Sequence, residues 1–331
     1  MQAPLRFGIV GLGYFGKNYA RLLRKMPGVT LKAVSSRSQA AFRKYAVFLS
    51  PLVRKHTSAG EIFRAKDIDC VIIATPPSTH FAMAREALKH KKHVLVEKPF
   101  VLRVKDALAL GRLAKAEKRT IMIGHQYLYN DHVRYLKHEL AKGKLGRIRY
   151  VLAEHFYPGP IRSDVGCFWE TATHELAILD YLFGPLKVSR VAGGSVSLST
   201  KSRDDFSSAF VRFRKGPALA LAVSWFSPEK IRRMIFAGEK GWTVFDDRAE
   251  VKLKFYLHPY PRIPRQAKSS SYFFDPRKIR FFVPRIRAGE PLRNELEHFV
   301  SCVRKNRVPL TDASHGVRIT RMLENIQSKL K

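Results

Sequence analysis

Gly11-Leu12-Gly13-Tyr14-Phe15-Gly16 follows directly on the apolar residues Leu5, Phe7, Ile9 and Val10. It precedes a segment, 17–26, whose Tyr19, Leu22 and Leu23 share one helical side. A short apolar run reads as a buried strand, and the three-to-four-residue spacing reads as a helix. The glycines therefore occupy a strand–turn–helix setting, which turns a common pattern into a dinucleotide-binding motif. Gly11 permits the tight turn, Gly13 lets the backbone approach a pyrophosphate, and Gly16 lets helix and strand pack closely. The helix start offers free N–H groups and the positive dipole end to the phosphates.

Outward from this motif the first third alternates. Segments 29–34, 70–74, 93–96 and 120–123 read as strands, and 39–48, 81–90 and 104–117 as helices. Apolar strands alternating with helices imply a parallel sheet covered on both faces. Ligands on such sheets gather at the carboxyl ends of the strands. The loops of interest are therefore 11–16, 35–38, 75–80, 97–100 and 124–130. Beyond 124 the pattern changes. Segments 133–142 and 170–182 read as helices. Seven strand-like runs lie at 148–155, 188–198, 207–213, 218–226, 232–237, 242–246 and 251–256, and 294–304 and 314–329 close the chain as helices. The fold class expected is α/β: an N-terminal doubly wound parallel sheet (Rossmann) domain over 1–123, then an α+β domain over 124–331 with a large, mostly antiparallel open sheet. Segment 268–280, with its serine triplet, is the best candidate for a mobile loop.

At 331 residues with 45% hydrophobic content the chain can bury two cores. No apolar run approaches a membrane span. The first strand begins so close to Met1 that no secretory signal fits. Cys70, Cys167 and Cys302 are isolated and odd in number, so neither a disulfide framework nor a metal site is expected. A cytoplasmic setting follows. The formal net charge of +34 would attract polyanions non-specifically at low salt. The basic residues are spread along the chain, and the richest stretch, 262–287, is interrupted by Pro, Ser and Phe. That is not the block of a nucleic-acid arm, so no specific nucleic-acid partner is expected.

Two constellations carry chemistry. Glu97-Lys98-Pro99 follows a strand directly, where a lysine can hydrogen-bond a reacting oxygen and relay a proton; the plain alternative is a surface lysine before a helix-entry proline. In Trp169-Glu170-Thr171-Ala172-Thr173-His174, Glu170 and His174 stand at i and i+4 on one helix face. A carboxylate beside a histidine raises its basicity and fixes its orientation; the alternative is a capping glutamate and a structural histidine.

Gly11 to Tyr19, Ala-Thr-Pro-Pro-Ser-Thr-His (74–80), Val-Glu-Lys-Pro (96–99) and Gly-His-Gln-Tyr-Leu-Tyr-Asn (124–130) resemble the Gfo/Idh/MocA oxidoreductases. The resemblance continues through Arg162-Ser163-Asp164, 169–174, 290–295 and 321–324, nearly the full length. Segment 159–182 most resembles the bacterial dehydrogenases that oxidise C3 of UDP-N-acetylglucosaminuronic acid for surface-polysaccharide synthesis. The resemblance implies an NAD(P)-dependent enzyme acting on a sugar or nucleotide-sugar hydroxyl or ketone. It makes Lys98 the lysine near the reacting hydroxyl and His174 the acid/base. Glu170 stands where the family usually has Asp, and its extra methylene should move the carboxylate. By resemblance Tyr14, Phe15, Thr75, Pro76, His80, Glu97, Lys98, Gln126 and Trp169 line the cofactor. Tyr129, Asn130, Arg162, Asp164 and His174 are the substrate-side candidates, Arg162 being suited to a carboxylate or phosphate.

An NAD-preferring site usually has an acid after the second strand to hold the ribose 2′-hydroxyl. Here the chain reads Ser35-Ser36-Arg37-Ser38. Hydroxyls of Ser36 and its neighbours with Arg37 would hold a 2′-phosphate, favouring NADP over NAD; alternatively Arg37 stacks on adenine. Other readings are an NADPH-dependent ketoreductase of a nucleotide-linked deoxysugar, and a non-catalytic dinucleotide-binding protein. Lys98 and His174 argue against the latter. The open sheet is a pairing surface, so a homodimer or homotetramer is expected.

Overall fold

The computed structural model describes residues 3–199, 203–258, 277 and 279–330. Segment 268–280 lies almost wholly outside these. The chain forms two compact units, one of residues 1–129 with 290–324, the other of residues 130–289 with 325–331.

The first unit holds a six-stranded parallel sheet. Its strands are β1 (Leu5–Val10), β2 (Val29–Ser35), β3 (Arg54–His56), β4 (Cys70–Ile73), β5 (His93–Glu97) and β6 (Ile121–Gly124), in the order β3-β2-β1-β4-β5-β6. The helices between them are α1 (Tyr14–Lys25), α2 (Gln39–Lys44), α3 (Ala59–Arg64), α4 (His80–Lys89) and α5 (Val104–Ala116). This is the expected doubly wound fold, and the strand order reverses between β1 and β4. Buried strands alternate their contacts. Val10, Val71, Ile73, Val94 and Val96 form one core with Ile62, Phe63, Ala84, Leu88 and Leu110. Phe7 faces the other way and meets Phe299 edge-on, ring centroids 6.2 Å apart.

Three details differ from the pattern reading. β3 was not expected, because Arg54-Lys55-His56 has no apolar period; as an edge strand it needs none. The six-residue α3 also escapes periodicity, yet it buries Ile62 and Phe63. The helix expected over 39–48 ends at Lys44 and gives way to a 3₁₀ turn, Ala46–Phe48. Only Phe42 of α2 is buried and Val47 is 71% exposed, so no apolar stripe extends the helix.

The second unit holds α6 (Asp131–Ala141), β7 (Ile148–Phe156), α7 (Thr173–Phe183), β8 (Val188–Val196), β9 (Phe206–Phe213), β10 (Ala218–Ser224), β11 (Ile231–Gly238), β12 (Gly241–Asp246), β13 (Leu253–Leu257) and β14 (Arg280–Phe282). Its eight strands run β14-β13-β12-β11-β7-β10-β9-β8, with only β7 and β10 parallel. Strand β9 alternates buried and exposed along most of its length, as a sheet with one covered face requires. Val151, Ala153, Val211, Leu219, Leu221 and Phe236 are buried, whereas Tyr150, Leu152 and Phe210 stay 39–44% exposed.

The closing helices α8 (Pro291–Lys305) and α9 (Ala313–Gln327) do not follow the linear division at 123/124. Residues 290–324 cluster with the first unit. The reason is burial: Phe7 and Tyr19 need an apolar cover, and α8 supplies Leu296 and Phe299, both fully buried. Phe299→Ala is expected to cost about 3–5 kcal/mol of stability, the usual range for a deleted core aromatic. Denaturant unfolding measures it. A loss below about 1 kcal/mol would mean that α8 is not part of that core.

Candidate active site

In the first unit, the ends of β1, β2 and β4 enclose a cavity of about 560 Å³ lined by Gly11, Gly13, Ser36, Arg37, Thr75 and Pro76, among others. It lies where the strand order reverses, as expected for a ligand on an open parallel sheet. The glycines divide the work. Gly11 has φ +96° and its backbone is pressed against Ala74, where an added Cβ would lie 2.5 Å from the carbonyl oxygen. At Gly16 a Cβ would lie 2.0 Å from the Gly11 carbonyl oxygen, so the turn and α1 touch backbone to backbone. At Gly13 a Cβ meets nothing within 4 Å. The fold does not need glycine there; a ligand approaching the backbone would.

α1 starts at Tyr14 with no acidic residue in its first turn. Its first bond runs from the Lys17 N–H to the Gly13 carbonyl, 3.0 Å. The N–H groups of Tyr14, Phe15 and Gly16 are thus left to a ligand, as at any helix start. The side chains of Tyr14 and Phe15 do not line the cavity: Tyr14 is 69% exposed and stacks edge-on with Phe15. Their contribution is backbone. Thr57 and Met83 do line it, and nothing in their local sequence marks them. Arg37 is exposed beside Ser35, Ser36 and Ser38, and no carboxylate among the described residues lines the cavity.

The Glu97-Lys98-Pro99 turn follows β5 and is buried; Lys98 is 8% exposed. It is held from two sides. The His80 ring contacts the Pro99 carbonyl through Nδ1 and the Thr75 carbonyl through Nε2, each at 2.9 Å. His80 is fully buried and ties the cavity wall to the lysine turn, where the resemblance had placed it against the cofactor. Behind the turn, Glu97 Oε2 accepts the Lys98 N–H at 3.1 Å, and Glu97 Oε1 lies 2.8 Å from the Tyr19 hydroxyl. Gln126 opens a 3₁₀ turn and is half-buried.

Two substrate-side candidates have other work. Tyr129 is fully buried, and its hydroxyl meets Thr311 Oγ1 at 3.2 Å. The phenol is thus part of the first unit's core. Asn130 caps α6, accepting the His132 N–H at 2.9 Å, so its oxygen satisfies an orphan helix donor.

The second unit builds its own polar cluster around α7. A π-helical turn, Phe168–Ala172, carries Trp169 and Glu170 into this helix; such turns recur at functional sites. Asp204 anchors its start: Oδ2 accepts the Phe168 N–H at 2.7 Å and the Ser207 hydroxyl at 2.9 Å. α7 buries every residue from Thr173 to Asp180, so its polar side chains need partners. His174 lies over His155 of β7, with ring centroids 5.8 Å apart and planes at 29°. Arg232 points Nε and Nη2 at His155 Nε2, at 2.9 and 2.8 Å. A guanidinium only donates, so the His155 proton sits on Nδ1 and goes to Glu175 Oε1, 2.9 Å away. Asp247 completes the row at 3.2 Å from Arg232.

Glu170 Oε2 accepts the Tyr157 hydroxyl at 2.6 Å, and Tyr157 accepts the Trp225 Nε1–H at 2.8 Å. Burial, then the Glu170 charge, pushes the Tyr157 phenol far up, so it stays a donor. The Glu170 carboxylate thus reaches Tyr157. Arg162 Nε donates to Asp164 Oδ1 at 3.1 Å. The structure brings these two candidates together, and a substrate anion would share Arg162 with Asp164. His155, Glu175, Arg232, Tyr157 and Trp225 were not legible as site residues, since four separate segments supply them. No cluster of His, Cys, Asp or Glu among the described residues could hold a metal ion, and none of their helices is long and apolar enough to cross a membrane.

The sequence profile of an oxidoreductase family's NAD-binding Rossmann fold matches residues 5–125, and that of the family's C-terminal alpha/beta domain matches 137–331. UDP-N-acetylglucosamine 3-dehydrogenase of Acidithiobacillus ferrooxidans is 29% identical over 234 residues, 70% of this chain and 70% of that protein. Its solved structure, GnnA, superposes with a TM-score of 0.83 at 24% identity, covering 99% of this chain and 98% of that one. Inositol 2-dehydrogenase of Salmonella typhimurium is 29% identical over 189 residues, 54% of each chain. GenD2 from gentamicin A biosynthesis, solved in complex with NAD, has a TM-score of 0.81 at 20% identity over 99% of this chain and 96% of that one. Apart from the UDP-N-acetylglucosamine 3-dehydrogenase, the chain spans about half the length of the curated relatives it matches.

The open space at Gly13 separates fold from ligand. Gly13→Val is expected to leave the unfolding midpoint unchanged and to weaken NAD or NADP binding at least tenfold in a fluorescence titration. Gly16→Ala is expected to lower the midpoint. Undiminished cofactor affinity in Gly13→Val would place the dinucleotide elsewhere.

Proposed function

The chain belongs to the Gfo/Idh/MocA oxidoreductase family, and from that premise we propose that it transfers hydride between a nicotinamide cofactor and a hydroxyl or ketone of a sugar or nucleotide sugar. The observation that carries this reading is His80. It bridges Thr75, on the wall of an acid-free dinucleotide cavity, to the turn that presents Lys98. When bound, the nicotinamide supplies the hydride acceptor or donor. Gly11 to Gly16 and the start of α1 would hold its phosphates, with Thr75 and Pro76 beside it.

The chain's own residues handle position and protons. Lys98 Nζ hydrogen-bonds the reacting oxygen and stabilises the charge that builds on it. The His174 imidazole takes the hydroxyl proton in oxidation and returns it in reduction. The row Glu175–His155–Arg232–Asp247 fixes the ring under His174. Tyr157 and Trp225 hold the Glu170 carboxylate in place. Arg162 binds a carboxylate or phosphate of the substrate.

Within this reading the substrate is a UDP-linked N-acetylhexosamine or its uronate, oxidised at C3, in surface-polysaccharide synthesis. The sequence relative that acts on UDP-N-acetylglucosamine supports it. Ser36 and Arg37 favour NADP. A second copy of the chain covers the open face of the second sheet, where Tyr150, Leu152 and Phe210 are exposed and Glu154 pairs with Arg233 at 2.6 Å. Three buried free thiols fit a cytoplasmic setting.

A screen of UDP-linked sugars and free polyols with both cofactors, read by the absorbance of reduced nicotinamide, tests the proposal. A UDP-linked N-acetylhexosamine or uronate should give turnover. Lys98→Ala should lower kcat by about 10²–10⁴-fold at unchanged cofactor affinity. Absence of turnover on every sugar, or an unchanged kcat in Lys98→Ala, would remove the reading. Arg37→Ala should lose about ten- to a hundredfold in NADP affinity, about the worth of one charge-assisted hydrogen bond, and leave NAD nearly untouched. Equal losses would mean that Arg37 stacks on adenine.

A further inference from the structure

Behind the lysine turn lies a buried polar group that hydride transfer does not use. The Tyr19 hydroxyl of α1 lies 2.8 Å from Glu97 Oε1 at the end of β5 and 3.0 Å from Glu295 Oε1 on α8. Tyr19 and Glu295 are fully buried and Glu97 is 5% exposed. Two carboxyl groups thus flank one phenol oxygen inside the first unit's core.

A phenol has one proton. It can be given to only one of the two carboxyls, so the other contact needs a proton from the acid itself. Glu97 is the ionised partner, because its Oε2 also accepts the Lys98 N–H. Glu295 is the neutral one. Among the described residues its buried Oε2 has no hydrogen-bond partner and no cation pairs with it. An orphan oxygen is tolerable on a neutral acid; on a carboxylate it would cost far more. Burial, then the Glu97 charge, holds the Glu295 carboxyl well above the usual carboxylate range, and burial together with the Glu97 charge raises the Tyr19 phenol.

We propose that Glu295 is a positioning residue for Lys98: as a carboxylic acid it donates to Tyr19, turns the phenol proton onto Glu97, and so fixes the turn that carries the lysine. The chain of bonds runs from α8 through α1 to the lysine backbone. α1 is also the helix whose start would hold the dinucleotide phosphates, so the triad sets Lys98 relative to that helix. The role of Lys98 rests on the hydride-transfer reading; the protonation state and the linkage do not.

The sign of the pH dependence follows. A group whose folded pKa is raised contributes fully below its unfolded value and loses that contribution as pH rises. The titratable groups facing Glu295 are Tyr19 from α1 and Glu97 from β5. Glu295→Gln removes the ionisation and keeps a donor for Tyr19. Its melting temperature should match the parent near about pH 4 and exceed it by a margin that grows toward pH 8.

The functional half uses Glu295→Leu and the near-isosteric Tyr19→Phe. Both should lower kcat at least tenfold with KM for cofactor and cofactor Kd within about threefold, and the double variant should be no worse than either single one. Glu295→Gln should restore what Glu295→Leu loses. Reductive methylation of Lys98, read by peptide mass spectrometry against the other lysines, should change at least threefold in Glu295→Leu and Tyr19→Phe and return to the parent rate in Glu295→Gln. That readout needs no sugar substrate, so it stands if the hydride-transfer reading fails. A melting-temperature gap that is flat with pH, a Glu295→Gln variant as impaired as Glu295→Leu, or an unchanged Lys98 labelling rate in Tyr19→Phe would overturn the proposal.

Discussion

The contact between the Gly16 backbone and the Gly11 carbonyl determines where α1 can begin, and much of the first unit follows from it. A side chain at either position would meet backbone at 2.0–2.5 Å, so only hydrogen is tolerated. The close approach places three helix-start N–H groups at the carboxyl edge of β1. It also sets the rotation of α1, which turns Tyr19, Leu22 and Leu23 inward. Gly13, between the two, is free of this constraint. Its small size serves a ligand, whereas that of its neighbours serves the fold.

Both units then bury polar rows behind the residues assigned to chemistry. In the first, Tyr19, Glu97 and Glu295 stand behind Lys98. In the second, Glu175, His155, Arg232 and Asp247 stand behind His174. Burying such groups costs stability unless each finds a partner. The hydrogen bonds made within each row leave its members few alternative geometries. The same logic explains Asp204, whose one oxygen collects Phe168, Ser207 and the Cys167 thiol and so seats the π-helical turn. Burial and Asp204 push that thiol far up, and it stays an inert donor.

The basic residues are spread along the whole sequence. Many pairs that exist are half-exposed, such as Arg233–Glu154 and Arg54–Asp67, and pairs of that kind contribute about 0–1 kcal/mol. Charge of this magnitude acts at long range, drawing anionic ligands toward the protein and fading with salt. A dinucleotide is such a ligand.

The strand–glycine–helix order, the parallel sheet, the mostly antiparallel second sheet, the turn bearing Lys98 and the helix bearing His174 were all determined by local pattern. Periodicity and glycine placement act within a dozen residues, where sequence is legible. The edge strand β3, the short α3 and the early end of α2 were not, because burial supplied by distant segments decided them. The return of 290–324 to the first unit belongs with these. So does the inward turn of Tyr129, whose partner Thr311 is 182 residues away. The protonation of Glu295 is the extreme case. Nothing near it in sequence distinguishes it from an ordinary helical glutamate. Only when α8 packs against α1 and β5 does it face a second carboxyl across one phenol oxygen, fully buried.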